Sequence, residues 1–253
     1  MKILSIIVAA YNVEKYIEKA LKSCDLNDDN DDYEVIVVND GSNDSTEKIV
    51  QDYVKYKPTV FKLINKENGG YGSAINAGIM HADGKYVKLM DGDDWYDTKE
   101  LSIFLDKLRI CDADMVITDF CSVNDNNMEK SNCLTFDVEP YTLINPNKLM
   151  YTNEVLLMHR VCMRTDILAK NDIKLTEQCF YTDTEYIIYP LPFIQNVEYM
   201  PLMLYQYRIG NTEQSMSLNG IRNHIEDMKL LYNNINQFIE NLSINANNEL
   251  IEW

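Results

Sequence analysis

The chain predicts an α/β fold built on a doubly wound, mostly parallel sheet, and three observations carry that prediction. Short β-branched runs alternate with amphipathic stretches through the first half of the 253 residues, the rhythm of strand–helix–strand units. The runs are continuously apolar, as expected of strands covered on both faces. Each ends in polar residues: Tyr11-Asn12, Asp40-Gly41-Ser42 and Asp91-Gly92-Asp93-Asp94. Ligands bind outside the carboxyl ends of the strands in such sheets, so these groups are expected to converge on one site.

Ile3 to Ala9 reads as the first strand, and Asn12 as the N-cap of a helix from Val13 to about Cys24, with Ile17, Ala20 and Leu21 on one face. Asp25 to Asp32 is a solvated acidic loop that lacks the Gly and the closing Glu of a calcium loop. Glu34 to Asn39 is the second strand. Asp44 or Ser45 then caps a helix through Tyr56, stopped by Pro58. Val60 to Ile64 is a third short strand. Asn68-Gly69-Gly70 leads into a helix of small residues from Ser73 to Met80, with His81 as a structural helix-end residue. Gly84 introduces the strand that reaches Asp91, followed by a helix over Thr98 to Arg109 and a strand over Met115 to Thr118.

Beyond Asp119 the rhythm weakens. Residues 120–150 read as an irregular, Asn-rich connection with room for a hairpin, and 150–210 as apolar stretches broken by Pro190, Pro192 and Pro201. His159 and Arg160 follow an apolar run and read as ordinary surface or packing residues. From Ile221 to Leu242 apolar residues recur at helical spacing. Packing on the sheet, or a homodimer formed through this helix, is the expected role. Peripheral membrane association is the alternative, disfavoured because the opposite face is not basic. The expected organisation is an α/β half over 1–119, a second half of the same domain over 120–220, and the helix over 221–253.

Hydrophobic content of 46% and charged content of 25% are those of a soluble globular protein. A net charge of −17 argues against nucleic acid as a partner and against wide contact with anionic lipid. Only five Arg are present (109, 160, 164, 208 and 222), so a phosphate ligand must rely on metal, backbone N–H groups, Lys or one of those few. The six Cys show no CxxC pair, which predicts reduced, mostly buried thiols in a cytoplasmic protein. The N-terminal apolar run is strand-length, unlike a signal peptide, and no stretch approaches the roughly 18 apolar residues of a membrane span.

The most informative stretch is Lys85 to Trp95, where an apolar strand ends in three carboxylates within four residues. Side chains two apart in extended chain share a face, and Gly92 lets both neighbours approach one ligand. Like charges at one point repel, so the cluster becomes favourable around a hard divalent cation, Mn²⁺ or Mg²⁺, which usually brings phosphate oxygens. A solvated Asp-rich turn is the bland alternative.

Four segments occur in order, each at a strand end: Ser5 to Asn12, Val35 to Thr46, Asn68 to Gly78 and Met90 to Trp95. Together they resemble the family 2 glycosyltransferases of the GT-A fold. Downstream, Phe180 to Tyr186 resembles the family's Glu-Asp-x-x-Phe segment, and Tyr207-Arg208 with Ser215-Met216-Ser217 its Tyr-Arg…Ser-x-Ser element. The resemblance implies inverting transfer of a sugar from a nucleoside-diphosphate donor, expected to be UDP-linked, to a hydroxyl of a glycan or lipid-linked acceptor. It implies that Ala10, Tyr11 and Asn12 line the nucleotide pocket and that Asp40 bonds the base. Asn76 falls in the donor-binding set. Asp91 would meet the ribose or sugar, and could share with Asp93 the cation on the diphosphate. Asp183 matches the catalytic base, with Glu185 the substitute, and Arg208 would reach the diphosphate or close over the donor. A cytoplasmic enzyme of surface-polysaccharide or envelope-glycan synthesis, at the inner face of the plasma membrane, fits these roles.

The chain departs from the pattern at Ala9-Ala10, where Pro is common, at Ile75, where many members carry Arg, and at Thr182, where Glu is common. Most members also run on past this length, so a C-terminal portion is expected to be missing after Trp253. A sugar nucleotidyltransferase is the rival enzyme, but it needs a Gly-rich basic loop where this chain has Ala-Ala-Tyr-Asn. Gly69-Gly70-Tyr71-Gly72 is not a dinucleotide fingerprint. A nucleotide-sugar-binding module that has lost its base is the non-enzymatic alternative, kept open by Thr182.

Overall fold

The computed structural model describes residues 2–26, 32–151, 155–210 and 218–245. Its first half is the expected alternation: β1 (Lys2–Ala10), α1 (Ile17–Ser23), β2 (Tyr33–Asn39), α2 (Thr46–Tyr56), β3 (Phe61–Asn65), α3 (Gly70–Met80) and β4 (Gly84–Asp91). A two-residue β5 (Trp95–Tyr96), α4 (Thr98–Leu108) and β6 (Met115–Asn124) follow. The second half adds β7 (Lys130–Leu134), β8 (Leu143–Ile144), β9 (Val161–Arg164), α5 (Thr165–Lys170), α6 (Asp183–Ile188), β10 (Val197–Ile209), α7 (Leu218–Asn223) and α8 (Ile225–Asn245).

One sheet runs through both halves in the order β3-β2-β1-β4-β9-β6-β10-β5, with β7 added to β6 and β8 to β10. The β3-β2-β1-β4 block is parallel throughout. Its strands β1 and β2 are buried on both faces by flanking helices, which is why their sequences are unbroken apolar runs. The other block is mixed, not mostly parallel. β9 lies antiparallel between β4 and β6, β6 and β10 are parallel, and β5 closes the edge antiparallel to β10. The 120–150 region is more ordered than its composition suggests, because β6 continues to Asn124 and pairs back with β7 as a hairpin.

Local differences have identifiable causes. Asn12 does not cap α1: it sits in left-handed backbone at φ 53, where its carboxamide oxygen accepts from the Asn43 N–H, and the helix starts one turn later. β10 tolerates Pro201 because its register against β6 shifts between Tyr199 and Met203, and an exposed proline at an irregularity removes no ladder bond. The predicted single C-terminal helix is two, α7 and α8, separated at His224. Cys121 and Cys133 form a disulfide across the β6–β7 hairpin, against the expectation of thiols throughout, whereas Cys24, Cys111, Cys162 and Cys179 are free and buried. Among the described residues no helix is long and apolar enough to cross a membrane. Ser215-Met216-Ser217, residues 27–31 of the acidic loop and the segment after 245 lie outside the described residues.

Candidate active site

The carboxyl ends of β1, β2 and β4 open into one cavity of about 530 Å³, closed on its far side by the 178–180 segment. Ala10, Tyr11, Asp40, Asp91 and Asp93 all line it. Tyr11 is half exposed, a free aromatic face at the rim. Asn12 does not line the cavity; its backbone N–H donates to Ser42 Oγ and ties the β1 end to the β2 end.

Asp40 is buried and held by three donors. One carboxylate oxygen accepts from the Gly69 N–H (2.9 Å) and the Lys66 ammonium (2.7 Å), the other from the Gly70 N–H (2.8 Å). The carboxylate therefore clamps the entrance of α3 as well as facing the cavity. Gly70 holds φ +82, and a β-carbon there would press on the Gln178 backbone at 3.2 Å, so glycine is required where α3 meets the far wall. Asn76 points away from the cavity. Its side chain donates to Leu175 O and accepts from Leu175 N, both at 2.9 Å, and thereby positions the chain leading to that wall.

Asp91, Gly92 and Asp93 form the floor. Burial pushes the Asp91 carboxyl well above its ordinary range, and the charges of Asp93 and Asp183 push it further. The neighbouring Tyr71 hydroxyl offsets part of this rise, and Asp91 Oδ1 is buried with no partner among the described residues. Burial raises Asp93 too. A carboxylate cluster with an orphaned buried oxygen, facing a cavity, fits a divalent cation. Asp94 faces inward: it is 1% exposed, accepts from Tyr205 Oη (2.6 Å) and from the Arg208 N–H (2.7 Å), and burial followed by the charges of Asp93 and Asp91 raises its pKa strongly.

Arg208 does not reach across the cavity. It lies under the floor, with Nε donating to the Asp93 carbonyl oxygen at 2.6 Å, an ion pair to Asp125, and its guanidinium over the rings of Tyr16 and Trp95. Asp183 opens α6, half-buried, and burial raises its pKa despite backbone hydrogen bonds that favour the charged form. Its charge helps raise the Asp91 carboxyl, although Asp183 itself is not among the residues that line the cavity. Glu185 is fully buried and occupied, accepting from Thr176 N (2.6 Å), Thr176 Oγ1 (2.7 Å) and Tyr189 Oη (2.8 Å).

Residues that were given no site role from the sequence complete the walls: Val13, Asn68, Tyr71, Gln178, Cys179 and Phe180. Tyr71 was legible as the aromatic in Asn-Gly-Gly-Tyr-Gly and Phe180 as the start of the Phe180 to Tyr186 segment, but nothing in the sequence marked Gln178 or Cys179. His159 and Arg160 are not surface residues. His159 is 9% exposed beside the floor, and its imidazole is held neutral, its pKa lowered to about 3 by burial and then by the Lys88 charge. Arg160 is fully buried, 3.7 Å from Asp119 and 4.2 Å over the Phe136 ring.

The site is a cavity at the carboxyl ends of a parallel strand block, with the Asp91 and Asp93 carboxylates in its floor and Asp40 at the end of β2. The chain belongs to glycosyl transferase family 2, whose model matches residues 5–170. It is 28% identical over 221 residues to the putative glycosyltransferase EpsH of Bacillus subtilis, covering 81% of this chain and 60% of that protein. It is 29% identical over 178 residues to the poly(ribitol-phosphate) beta-N-acetylglucosaminyltransferase TarS of Staphylococcus aureus, covering 69% of this chain but 30% of TarS. The crystal structure of S. aureus TarS 1-349 in complex with UDP-GlcNAc superimposes with a TM-score of 0.74 at 25% identity, over 98% of this chain and 68% of that one. The mannosyltransferase PcManGT from Pyrobaculum calidifontis, in complex with GDP-Man and Mn²⁺, shares the fold at a TM-score of 0.59 and 13% identity, over 97% of this chain and 76% of that one.

Proposed function

We propose that the protein transfers a sugar, with inversion, from a UDP-linked donor to a hydroxyl of a surface or envelope glycan or of a lipid-linked precursor. The observation that carries this reading is the convergence of Asp40, Asp91 and Asp93 on one cavity with Asp183 nearby. Likeness to TarS, crystallised with UDP-GlcNAc, supports UDP as the nucleotide.

In this reading Tyr11 stacks on the base at the rim, Asp40 accepts from its ring N–H, and Asp91 meets the ribose or sugar. Asp93, with Asp91, would hold Mn²⁺ or Mg²⁺, which when bound supplies positive charge to the departing diphosphate. Asp183 takes the proton of the acceptor hydroxyl as the new bond forms, from the face opposite the diphosphate. Its raised pKa makes it a stronger base than a solvated aspartate. Arg208 fixes the height of the Asp93 turn, and Asn76 and Glu185 fix the chain before Asp183.

The test is a panel of nucleotide sugars, scored by thermal stabilisation and by hydrolysis, with and without EDTA. UDP and UDP-sugars are expected to bind weakly without the cation, because an anionic ligand facing bare carboxylates in a −17 chain is repelled. Equal affinity in EDTA would remove the cation from the proposal. Binding without hydrolysis, and without transfer to any acceptor tried, would favour a sugar-nucleotide-binding module.

A further inference from the structure

Behind the cavity floor lies a second group of donors, of which the proposed transfer reaction uses Asp91 alone. One ligand atom each from Asp91, Asp94 and His159 lie within 4.8 Å of one another, with Asp94 and His159 buried. Asp93, on the cavity side, is not one of the three. Acidic side chains alone would not make a site, but the imidazole changes the case. His159 is only 9% exposed, and neither of its ring nitrogens has a hydrogen-bond partner among the described residues. An imidazole buried this deeply ordinarily bonds through at least one nitrogen, because an unsatisfied buried polar atom costs about 1–3 kcal/mol.

The surroundings hold the group in place. The imidazole stacks on Phe120 with centroids 5.4 Å apart and meets the rings of Tyr205 at 4.7 Å and Tyr207 at 4.6 Å, which fixes its plane. Asp94 is oriented by bonds from Tyr205 Oη and the Arg208 N–H, and each of its oxygens keeps a further lone pair. Outer hydrogen bonds that aim a carboxylate are what ligand residues of metal sites require. Asp91 also carries a buried oxygen, Oδ1, that has no hydrogen-bond partner among the described residues. We propose that Asp91, Asp94 and His159 form an inner cation site that shares Asp91 with the donor cation site but lies on the side of Asp94 and His159 rather than Asp93, and that takes a first-row transition metal in preference to Mg²⁺. The selectivity follows from the donors. Mg²⁺ demands oxygen ligands in a near-ideal octahedron, whereas one imidazole with two carboxylates suits Mn²⁺, Fe²⁺, Co²⁺ or Zn²⁺. Such an ion would relieve the repulsion between two buried carboxylates and lock the floor on which the donor is held.

The experiment uses the untagged full chain, Mn²⁺ alone and no nucleotide, read by pulsed electron paramagnetic resonance for ¹⁴N modulation from a ligating imidazole. The chain has three His, so the double variant His81→Gln/His224→Gln leaves His159 as the sole imidazole without touching the floor. The expected result is ¹⁴N modulation in the wild type, retained in the double variant, with Mn²⁺ displaced by Zn²⁺ at far lower concentration than by Mg²⁺. His159→Gln should lose the modulation and at least about tenfold in Mn²⁺ affinity. Bound Mn²⁺ without ¹⁴N modulation, modulation lost in the double variant, or equal displacement by Mg²⁺ and Zn²⁺ would overturn the proposal. Failure of the donor reading would appear separately, as cation-independent UDP binding.

Discussion

Arg208 donates from Nε to the main-chain carbonyl oxygen of Asp93 at 2.6 Å, so a cation 115 positions along the chain sets the backbone of the turn that carries the acidic floor. The guanidinium is 5% exposed, paired with Asp125 and held over Tyr16 and Trp95. It also lies beside the main-chain bond from its own N–H to Asp94. Arg208→Ala is expected to destabilise the protein by about 1–3 kcal/mol, since it removes a buried donor from the Asp93 carbonyl oxygen and the cation beside Asp125. Arg208→Lys keeps the charge but cannot serve Asp93 and Asp125 with one fork. It should retain more stability yet bind UDP–Mn²⁺ more weakly, as thermal unfolding and calorimetry would show. Full UDP affinity in Arg208→Lys would mean the floor does not depend on this bond.

Asp40 and Asp93 should separate into two phenotypes. Asp40→Asn leaves one acceptor oxygen for what are now three donors, and its amide would face backbone N–H groups. A loss of about 1–3 kcal/mol is expected, with weaker UDP binding that still responds to Mn²⁺. Asp93→Asn should leave stability nearly unchanged and abolish most of the Mn²⁺ response. Calorimetric titration of both variants with and without EDTA is the check, and equal loss of the metal effect in both would mean that one of the two strand ends is misassigned.

How much of this was legible depended on whether local chemistry or long-range geometry fixed the element. The parallel block was readable because β1, β2 and β4 are buried on both faces and carry that burial in sequence. The convergence of Asp40 and Asp91 followed from the strand-end rule. β9 was not readable: four residues with no turn chemistry around them become a strand only because β4 and β6 offer edges on either side. Asn12 was misread because an N-cap and a left-handed turn residue draw on the same side-chain chemistry. His159 was invisible for a different reason. A histidine after an apolar run says nothing of the carboxylates 65 and 68 positions earlier in the sequence that it faces.

In EDTA, Asp91 should make the protein less stable as pH rises. Its folded pKa is raised by burial and then by the charges of Asp93 and Asp183, so the folded state binds more protons than the unfolded one above the ordinary carboxylate value of about 3.9. By linkage, stability contributed by that proton is present below this value and is lost as pH climbs through the raised one. Asp91→Asn cannot lose that proton. Its unfolding temperature should match the wild type near pH 4 and exceed it increasingly toward pH 7, by about 2–4 °C for each kcal/mol. Groups with lowered values, such as Asp44, Asp83 and Asp166, act with the opposite sign but are common to both proteins and cancel in the difference. A difference that is constant with pH would mean Asp91 is not held protonated.

The two acidic residues at the start of α6 should behave as a base and a brace. Glu185 accepts three hydrogen bonds from Thr176 and Tyr189 and is fully buried, so both its oxygens are already committed to holding the chain. Glu185→Gln keeps the shape but cannot accept from all three donors, and should cost about 1–3 kcal/mol of stability. Its transfer rate, measured at a temperature where it stays folded, should fall only modestly. Asp183 is half-buried, free of side-chain ion pairs among the described residues, and close enough to Asp91 for their charges to interact. Asp183→Asn is nearly isosteric and should leave the unfolding temperature and UDP affinity almost unchanged while lowering transfer by roughly a hundredfold or more, the contribution of a positioned general base. Raising the pH should restore little, because the hydroxyl's own pKa lies far above the accessible range. The decisive measurement is transfer at saturating donor for both variants. Near wild-type transfer by Asp183→Asn together with an inactive Glu185→Gln would move the base to Glu185, and activity in both would place it outside α6.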